Sequence, residues 1–191
     1  MSGHFEALPG GGAAVPLDEV EISILRSLAV QLLELIGPGD EPPVGEDPLA
    51  GLFREGPSEP PSDPALARLF PNAYADDDEE LRAASAEFRR FTETDLRDRK
   101  RGDVLAVVRS LDALGAAGEG VAVLKLTADD SRHWLGALND LRLTIGTRLE
   151  IADDEESDRL YRLPDSDPRK PMVMAYLWLG ALQETLVETL M

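Results

Sequence analysis

The chain has 191 residues, of which 37 are acidic and 19 basic, so its formal charge is −18, and it contains no cysteine. The missing cysteines exclude disulfides and thiol switches, and the negative charge disfavours tight non-specific binding to nucleic acid. A hydrophobic content of 43% is enough for one domain with a real core, which we place over residues 1–191. Because residues 1–12 lack the basic and apolar parts of a secretory signal, we expect a cytoplasmic protein.

The N-terminal residues predict a small β element. Two short segments, residues 4–8 and 13–17, flank the turn Gly10-Gly11-Gly12 and can form a hairpin. An isolated hairpin is only marginally stable, so it needs a further strand or a helix to pack on. The β-branched, apolar residues 121–126 predict a strand that can supply this support.

A first helix is predicted from Asp18 to the Gly37-Pro38 pair. Asp18 followed three residues later by Glu21 is a capping-box pattern. Apolar residues then recur at helical spacing and define one buried face: Ile22, Leu25, Ala29, Leu32 and Ile36.

Residues 37–63 predict a flexible, proline-rich insert, because residues 37–64 hold eight of the fourteen prolines and few apolar side chains. Two similar apolar islands interrupt it, one containing Leu49, Leu52 and Phe53 and the other spanning residues 63–70. The islands either dock a partner or fold back onto the domain, and we favour folding back.

A long helical pattern follows the acidic residues 76–80. Leu81, Ala84, Phe88 and Phe91 predict an apolar stripe, which is interrupted at Gly102 by a kink or break. The stripe resumes in a second apolar set at helical spacing: Val104, Val107, Val108, Leu111 and Leu114.

The same helix reverses the charge of the chain. Residues 81–110 hold eight basic and five acidic side chains, a local charge of +3. This pattern predicts either a contact surface for an acidic partner or a solvated helix with i,i+4 ion pairs, and we favour the ion pairs. If the surface binds a partner, the candidate residues include Leu49, Leu52 and Phe53 from the insert together with the basic side chains of the helix: Arg89, Arg90, Arg97, Arg99, Lys100 and Arg101.

The C-terminal half predicts two core helices. Thr127 can cap the first, whose apolar face contains Trp134, and a nearly apolar helix over residues 172–190 is expected to be buried. Residues 152–168 between them are predicted to form an acidic loop. Both helices contain the phrase Trp-Leu-Gly-Ala-Leu, in which Gly136 and Gly180 are predicted to allow close backbone approach.

Four polar residues interrupt the apolar pattern of the first of these helices: Asn139, Asp140, Arg142 and Arg148. They could recognise a ligand. The favoured alternative is a structural polar network, in which they pair with backbone carbonyls or with a carboxylate on a neighbouring helix such as Glu184.

The sequence contains no recognisable catalytic motif. Neither a Walker loop nor a nucleophile elbow is present, and the two histidines, His4 and His133, have no ligand or carboxylate at a useful spacing. We therefore expect no catalytic residue, metal or cofactor.

Four phrases of the chain resemble an actinobacterial family of domains of unknown function that includes AosR-like oxidative-stress transcriptional regulators. They comprise residues 63–74, 87–93, 134–149 and 178–186. The resemblance implies a regulator that acts through other transcription proteins, with a stress-responsive sigma factor as a partner. It also implies thiol sensing by a cysteine pair, and no residue of this chain can inherit that role.

The sequence as a whole predicts a mainly α, bundle-like domain with a small β element and a proline-rich loop. The expected function is non-enzymatic regulation of the oxidative-stress response through protein partners; direct DNA binding and oligomeric state stay open. One alternative is an adaptor that delivers clients to a protease or chaperone. Another is an enzyme with an unrecognised site, which a polar pocket near Asn139 and Arg142 would favour.

Overall fold

A computed structural model describes residues 3–38, 56–75, 78–115, 120–152 and 154–191. Most of the predicted insert, including Leu49, Leu52 and Phe53, lies outside these ranges. The described residues form three strands and six helices in the following order: β1 (Glu6–Ala7), β2 (Ala13–Leu17), α1 (Glu19–Ile36), α2 (Pro64–Leu69), α3 (Glu79–Gly115), β3 (Ala122–Leu126), α4 (Ala128–Arg148), α5 (Asp154–Tyr161) and α6 (Lys170–Leu190). The prediction of a mainly α domain with a small β element is confirmed.

The three strands form one antiparallel sheet in the order β1-β2-β3. The sheet is amphipathic because alternate side chains point to opposite faces. Val15, Leu17 and Leu124 are buried on the inner face, whereas Val123 on the outer face is 52% exposed. The predicted hairpin and its third strand are therefore confirmed.

Predicted side-chain caps begin two of the helices. At α1, Asp18 Oδ1 accepts from the amide of Glu21 at 2.8 Å, and Glu21 Oε2 accepts from the amide of Asp18 at 3.0 Å. Thr127 and Asp130 form the same reciprocal pair at α4. Each cap satisfies amides that have no partner within the helix, which fixes where the helix starts.

The second apolar island folds back onto the domain as α2. Asp63 caps this short helix by accepting from the amides of Ala65 and Leu66. Ala65, Leu69 and Phe70 are buried, and α2 packs against α4. For this island, folding back is confirmed.

The first half of α3 differs from its prediction. The helix passes through Gly102 without a break. Phe88 and Phe91, expected in an apolar stripe, are 50% and 65% exposed, whereas Arg89 and Glu93 are buried. The predicted apolar stripe is wrong because the buried ionic groups bond to each other and to neighbouring segments. These bonds offset much of the free-energy cost of removing the charges from water. In the second half, Val104, Val107 and Leu111 are buried as expected.

The C-terminal region also departs from expectation. The predicted acidic loop 152–168 contains helix α5. Helix α6 buries Val173, Leu179, Leu182 and other side chains, but it leaves Met172 45% exposed, so only one of its faces is covered. Among the described helices, none combines the length and the hydropathy that a bilayer-spanning helix requires.

The two repeated glycines accommodate side chains rather than a neighbouring backbone. A Cβ at Gly136 would lie 2.5 Å from Asp103 Oδ2, and a Cβ at Gly180 would lie 3.4 Å from Arg142 Nε. Both tryptophans are core residues, and Trp134 packs edge-on against Phe5 with the ring centroids 6.0 Å apart.

Candidate functional site

An apolar groove with a volume of about 1040 Å³ lies between α1, α4 and α6. We call it the α1–α6 groove. Helix α4 packs against both flanking helices, so it forms the floor while α1 and α6 form the walls. The apolar lining includes residues from all three helices: Ile24, Leu28, Leu35, Leu141, Ile145, Met172, Ala175 and Trp178.

Helix α1 contributes to the groove because it carries two apolar rows. Of the predicted core row, Leu25, Ala29, Leu32 and Ile36 are buried, and Ile22 is partly buried. A second row, Ile24, Leu28 and Leu35, is only partly buried and faces the groove. The spacing of four and seven residues indicates in the sequence that these side chains share one helix face. That this face forms a groove wall depends on the position of α6, which the sequence does not show.

Two arginines at the rim of the groove are already paired. Arg148 Nη2 lies 2.6 Å from Asp63 Oδ2, and Arg169 Nη2 lies 3.0 Å from Asp167 Oδ2. The hydrogen bond from the Leu66 amide and that from Arg148 lower the pKa of Asp63 below its usual range. Glu34, also at the rim, is exposed and has no ion-pair partner among the described residues, so its charge faces solvent.

The basic residues of α3 do not form one free contact surface. Arg89 is buried and bonds to Glu93, to the carbonyl of Phe70 and to the amide oxygen of Asn72. The side chain of Arg97 also pairs with Glu93, at 2.7 Å, as predicted from the i,i+4 spacing.

Two further arginine contacts lie at the C-terminal end of α1. Arg97 donates to the carbonyl of Ile36 and Arg101 to that of Gly37, so both satisfy carbonyls at the C-terminal end of the helix. Lys100 bonds to Asp140 on α4 at 2.7 Å. Four of the six basic candidate residues of α3 therefore form contacts within the fold. Of the remaining two, Arg99 is exposed and Arg90 lies over the Phe91 ring.

The four polar residues of α4 make separate contacts instead of one network. Asp140 bonds to Lys100, and Asn139 lies beside it at 3.5 Å. Arg142 bonds to Gln183 on α6 at 2.6 Å, not to Glu184. Arg148 bonds to Asp63. The structural role is thus present for Asp140, Arg142 and Arg148, each of which joins α4 to a different segment, whereas Asn139 contacts Asp140 within the helix.

The structure corrects the expectation for His133. Its Nδ1 lies 2.7 Å from Oδ1 of Asp103, a carboxylate supplied by α3 from thirty residues away. This pair lines a polar pocket of about 430 Å³ together with Arg99, Lys100 and Asn139. Across the part of the chain that the structure describes, no cluster of three His, Asp or Glu side chains could hold a metal ion.

A second polar pocket, of about 390 Å³, lies between α2, α4 and α6. We call it the Arg68–Arg142 pocket. Its polar lining comprises Arg68, Asn139, Arg142, Thr147 and Tyr176. A pocket with polar groups thus does occur near Asn139 and Arg142, the arrangement that would favour an enzyme. Thr147, however, donates its hydroxyl to the carbonyl of Leu143, and no acid–base pair is found among the described residues that line it.

Comparisons with known proteins agree with the resemblance of the four phrases. The "Oxidative stress regulator AosR" of Mycobacterium tuberculosis (strain ATCC 25618 / H37Rv) is 31% identical over 182 residues, covering 90% of this chain and 78% of the relative. The "Putative oxidative stress regulator AosR" of Mycobacterium leprae (strain TN) is 32% identical over 181 residues, covering 90% and 79%. No solved structure matches. The family model described as "Domain of unknown function (DUF2017)" matches residues 2–190, and the chain therefore belongs to that family.

Proposed function

We propose that this protein is a non-enzymatic regulator of the oxidative-stress response, and that it acts in the cytoplasm by binding a protein partner of the transcription machinery in the α1–α6 groove. The names of its mycobacterial relatives support the regulatory part. The single observation that carries the binding part is an open apolar groove of about 1040 Å³ in a highly charged protein. Apolar clefts of this volume are typical of binding sites.

The occupant that fits this groove is an amphipathic helix of the partner. The α1 wall from Ile24 to Leu35 is about 16 Å long, which corresponds to about three helical turns. A helix laid between α1 and α6 over α4 would bury its own apolar residues at i, i+3, i+4 and i+7. It would thus fill the vacant position of a helical bundle.

Charge further specifies this helix. Because Arg148 and Arg169 are paired at the rim while Glu34 is exposed, the rim has no uncompensated cation among its described residues. The whole chain carries −18. A helix with basic residues along the edges of its apolar stripe is therefore favoured over an acidic one, both in steering and in the final contact.

Because this chain has no cysteine, its part in the response does not use thiol chemistry. The oxidant is then sensed by the partner or reaches this protein through another signal, and this chain supplies the binding surface. A regulator of this kind changes which complexes form and needs no turnover.

The function is tested in the native cell by comparing two apolar-to-acidic substitutions on α1. Leu28→Glu places a charge in the groove, whereas Val20→Glu changes a residue that is 64% exposed and lies outside the groove lining. We expect Leu28→Glu to abolish the transcriptional response to oxidant and Val20→Glu to retain it. Normal responses in both variants, with both proteins folded and present at normal levels, would refute the proposal.

A further inference from the structure

We propose that the Arg68–Arg142 pocket binds a small organic anion through its carboxylate or phosphate group. This site is separate from the groove. Along α4, Asn139, Arg142 and Gly146 lie on the side of the helix opposite to Leu141 and Ile145, so the two cavities share the helix but not its faces. The proposal therefore stands or fails independently of partner binding.

The first argument is the charge of the pocket. Two guanidinium groups line it, and none of its described lining residues is a carboxylate. This lining contrasts with the rest of a chain that carries −18, in which arginines such as Arg26, Arg89 and Arg148 pair with carboxylates. Two uncompensated arginines in one recess attract and orient an oxyanion, because their N–H groups match the geometry of carboxylate and phosphate.

The second argument is the set of unused donors. Arg142 donates a hydrogen bond from Nη1 to Gln183, while its Nε is buried and has no acceptor among the described residues. A buried donor without a partner is costly and often indicates an unseen ion or water nearby. No described acceptor is assigned to Arg142 Nη2 or to Arg68, and Arg68 lies exposed in the last turn of α2.

The third argument is that the pocket is built before any ligand arrives. Arg142 is held over the Tyr176 ring, 5.3 Å from its centroid, and it packs against Gly180, with Nε 3.4 Å from the position that a Cβ there would take. Gly146 likewise leaves room for the Tyr176 ring, which lies 3.3 Å from the position that a Cβ would take. A donor that is already held in place, as Arg142 is, loses little conformational entropy on binding, which favours affinity for a small ligand.

The ligand is limited by size and lining. A volume of about 390 Å³ is near the lower end of the range for small-molecule sites. Leu143 and Ile151 supply apolar contacts beside the two arginines. The matching chemistry is a compact metabolite with one anionic end and a short apolar body.

The test is a titration of the full chain followed through the backbone amide resonances of Gly146 and Tyr176. The probes are inorganic phosphate and acetate, which distinguish the two anionic groups, against sodium chloride at equal ionic strength. We expect at least one of them to shift these resonances saturably while chloride does not. Arg68→Gln, which alters an exposed side chain, is expected to weaken the binding by roughly tenfold.

A matched control is Arg159→Gln, which removes an exposed arginine of another short helix outside the pocket. It is expected to bind the probe like the unmodified protein. Saturation by phosphate alone or by acetate alone supports the proposal and identifies the anionic group. Responses equal to that of chloride, or equal binding by Arg68→Gln and the unmodified protein, would overturn it.

Discussion

At the scale of single residues, the most consequential feature is the buried ionic cluster at the start of α3. Glu93 bonds to both Arg89 and Arg97, and Arg89 in turn holds the chain that follows α2 through Phe70 and Asn72. The sequence allowed the Glu93–Arg97 pair to be predicted from its spacing. It could not show that the cluster is buried, because burial depends on the segment that follows α2, which packs over this face through Phe70 and Asn72.

Removing one member of this cluster is expected to be costly. Arg89→Met leaves the buried Glu93 carboxylate with Arg97 alone and deprives the Phe70 carbonyl of its donor, so we expect a loss of about 3 kcal/mol in unfolding free energy. Urea denaturation measures this. The double variant Arg89→Met/Glu93→Leu is expected to lose less, because no charge is stranded. Equal losses, or a comparable loss in the control Arg99→Met at an exposed site, would contradict this account.

Asp63 links stability to pH. Its pKa is lowered, first by the Leu66 amide and then by Arg148, so the carboxylate stabilises the fold above its unfolded pKa of about 4. That contribution is lost as the pH falls through the lower pKa of the folded state. We expect the Tm difference between the unmodified protein and Asp63→Asn to shrink below about pH 4. A difference that stays constant from pH 7 to pH 3 would show that the charge has no such role.

At the scale of elements, the sequence was most informative where local chemistry decides the outcome. The caps at Asp18 and Thr127 and the β1–β2 hairpin followed from residues that interact within a few positions of one another. The β3 strand followed from its own β-branched, apolar residues, although its partner β2 is distant in the sequence. Predictions failed where a distant element decides: the buried face of α3 depends on Phe70, and the single covered face of α6 depends on α4. Helix α5 was missed because an acidic, polar segment carries little apolar signal.

The turn between β1 and β2 offers a matched pair of glycines. Gly11 and Gly12 have nearly equal φ values, 96° and 95°, so alanine at either position suffers similar backbone strain. A Cβ at Gly12, however, would collide with the carbonyl oxygen of Leu126, whereas nothing lies within 4 Å of one at Gly11.

The two alanine variants are therefore expected to differ. Gly11→Ala is expected to cost about 1–2 kcal/mol from the backbone alone. Gly12→Ala is expected to cost about 1–3 kcal/mol more, because β3 must shift away from the turn. Thermal and urea unfolding of both variants measure these costs. Equal destabilisation would show that the approach of β3 to the turn is looser than the structure indicates.

At the scale of the whole molecule, two cavities lie on different sides of α4, and we propose a different kind of binding for each. The α1–α6 groove has the apolar lining that we propose for a protein helix, and the Arg68–Arg142 pocket has the two guanidinium groups that we propose for a small anion. Neither site could be predicted as a site from the sequence. The sequence pattern drew attention to Asn139 and Arg142, but their grouping with Arg68 and Tyr176 arises only from the packing of three helices.

The proposed contact surface differs from the one considered in the sequence analysis. The basic residues of α3 were candidates because they reverse the charge of the chain, yet four of them have partners within the fold: Arg89, Arg97, Lys100 and Arg101. The surface proposed for a partner is instead apolar and lies between α1 and α6. The residues that mark it, Leu28 and Met172 among them, carry no charge signal in the sequence.

The central claim is tested most directly by the affinity of the purified protein for its transcription partner, once that partner has been identified by crosslinking from position 28 in the native cell. Isothermal titration should compare the unmodified protein with Leu28→Glu and Val20→Glu. We expect Leu28→Glu to weaken binding by about a hundredfold, which corresponds to a loss of about 2.7 kcal/mol, and Val20→Glu to stay within about twofold. Equal affinities for all three folded proteins would show that the groove does not hold the partner.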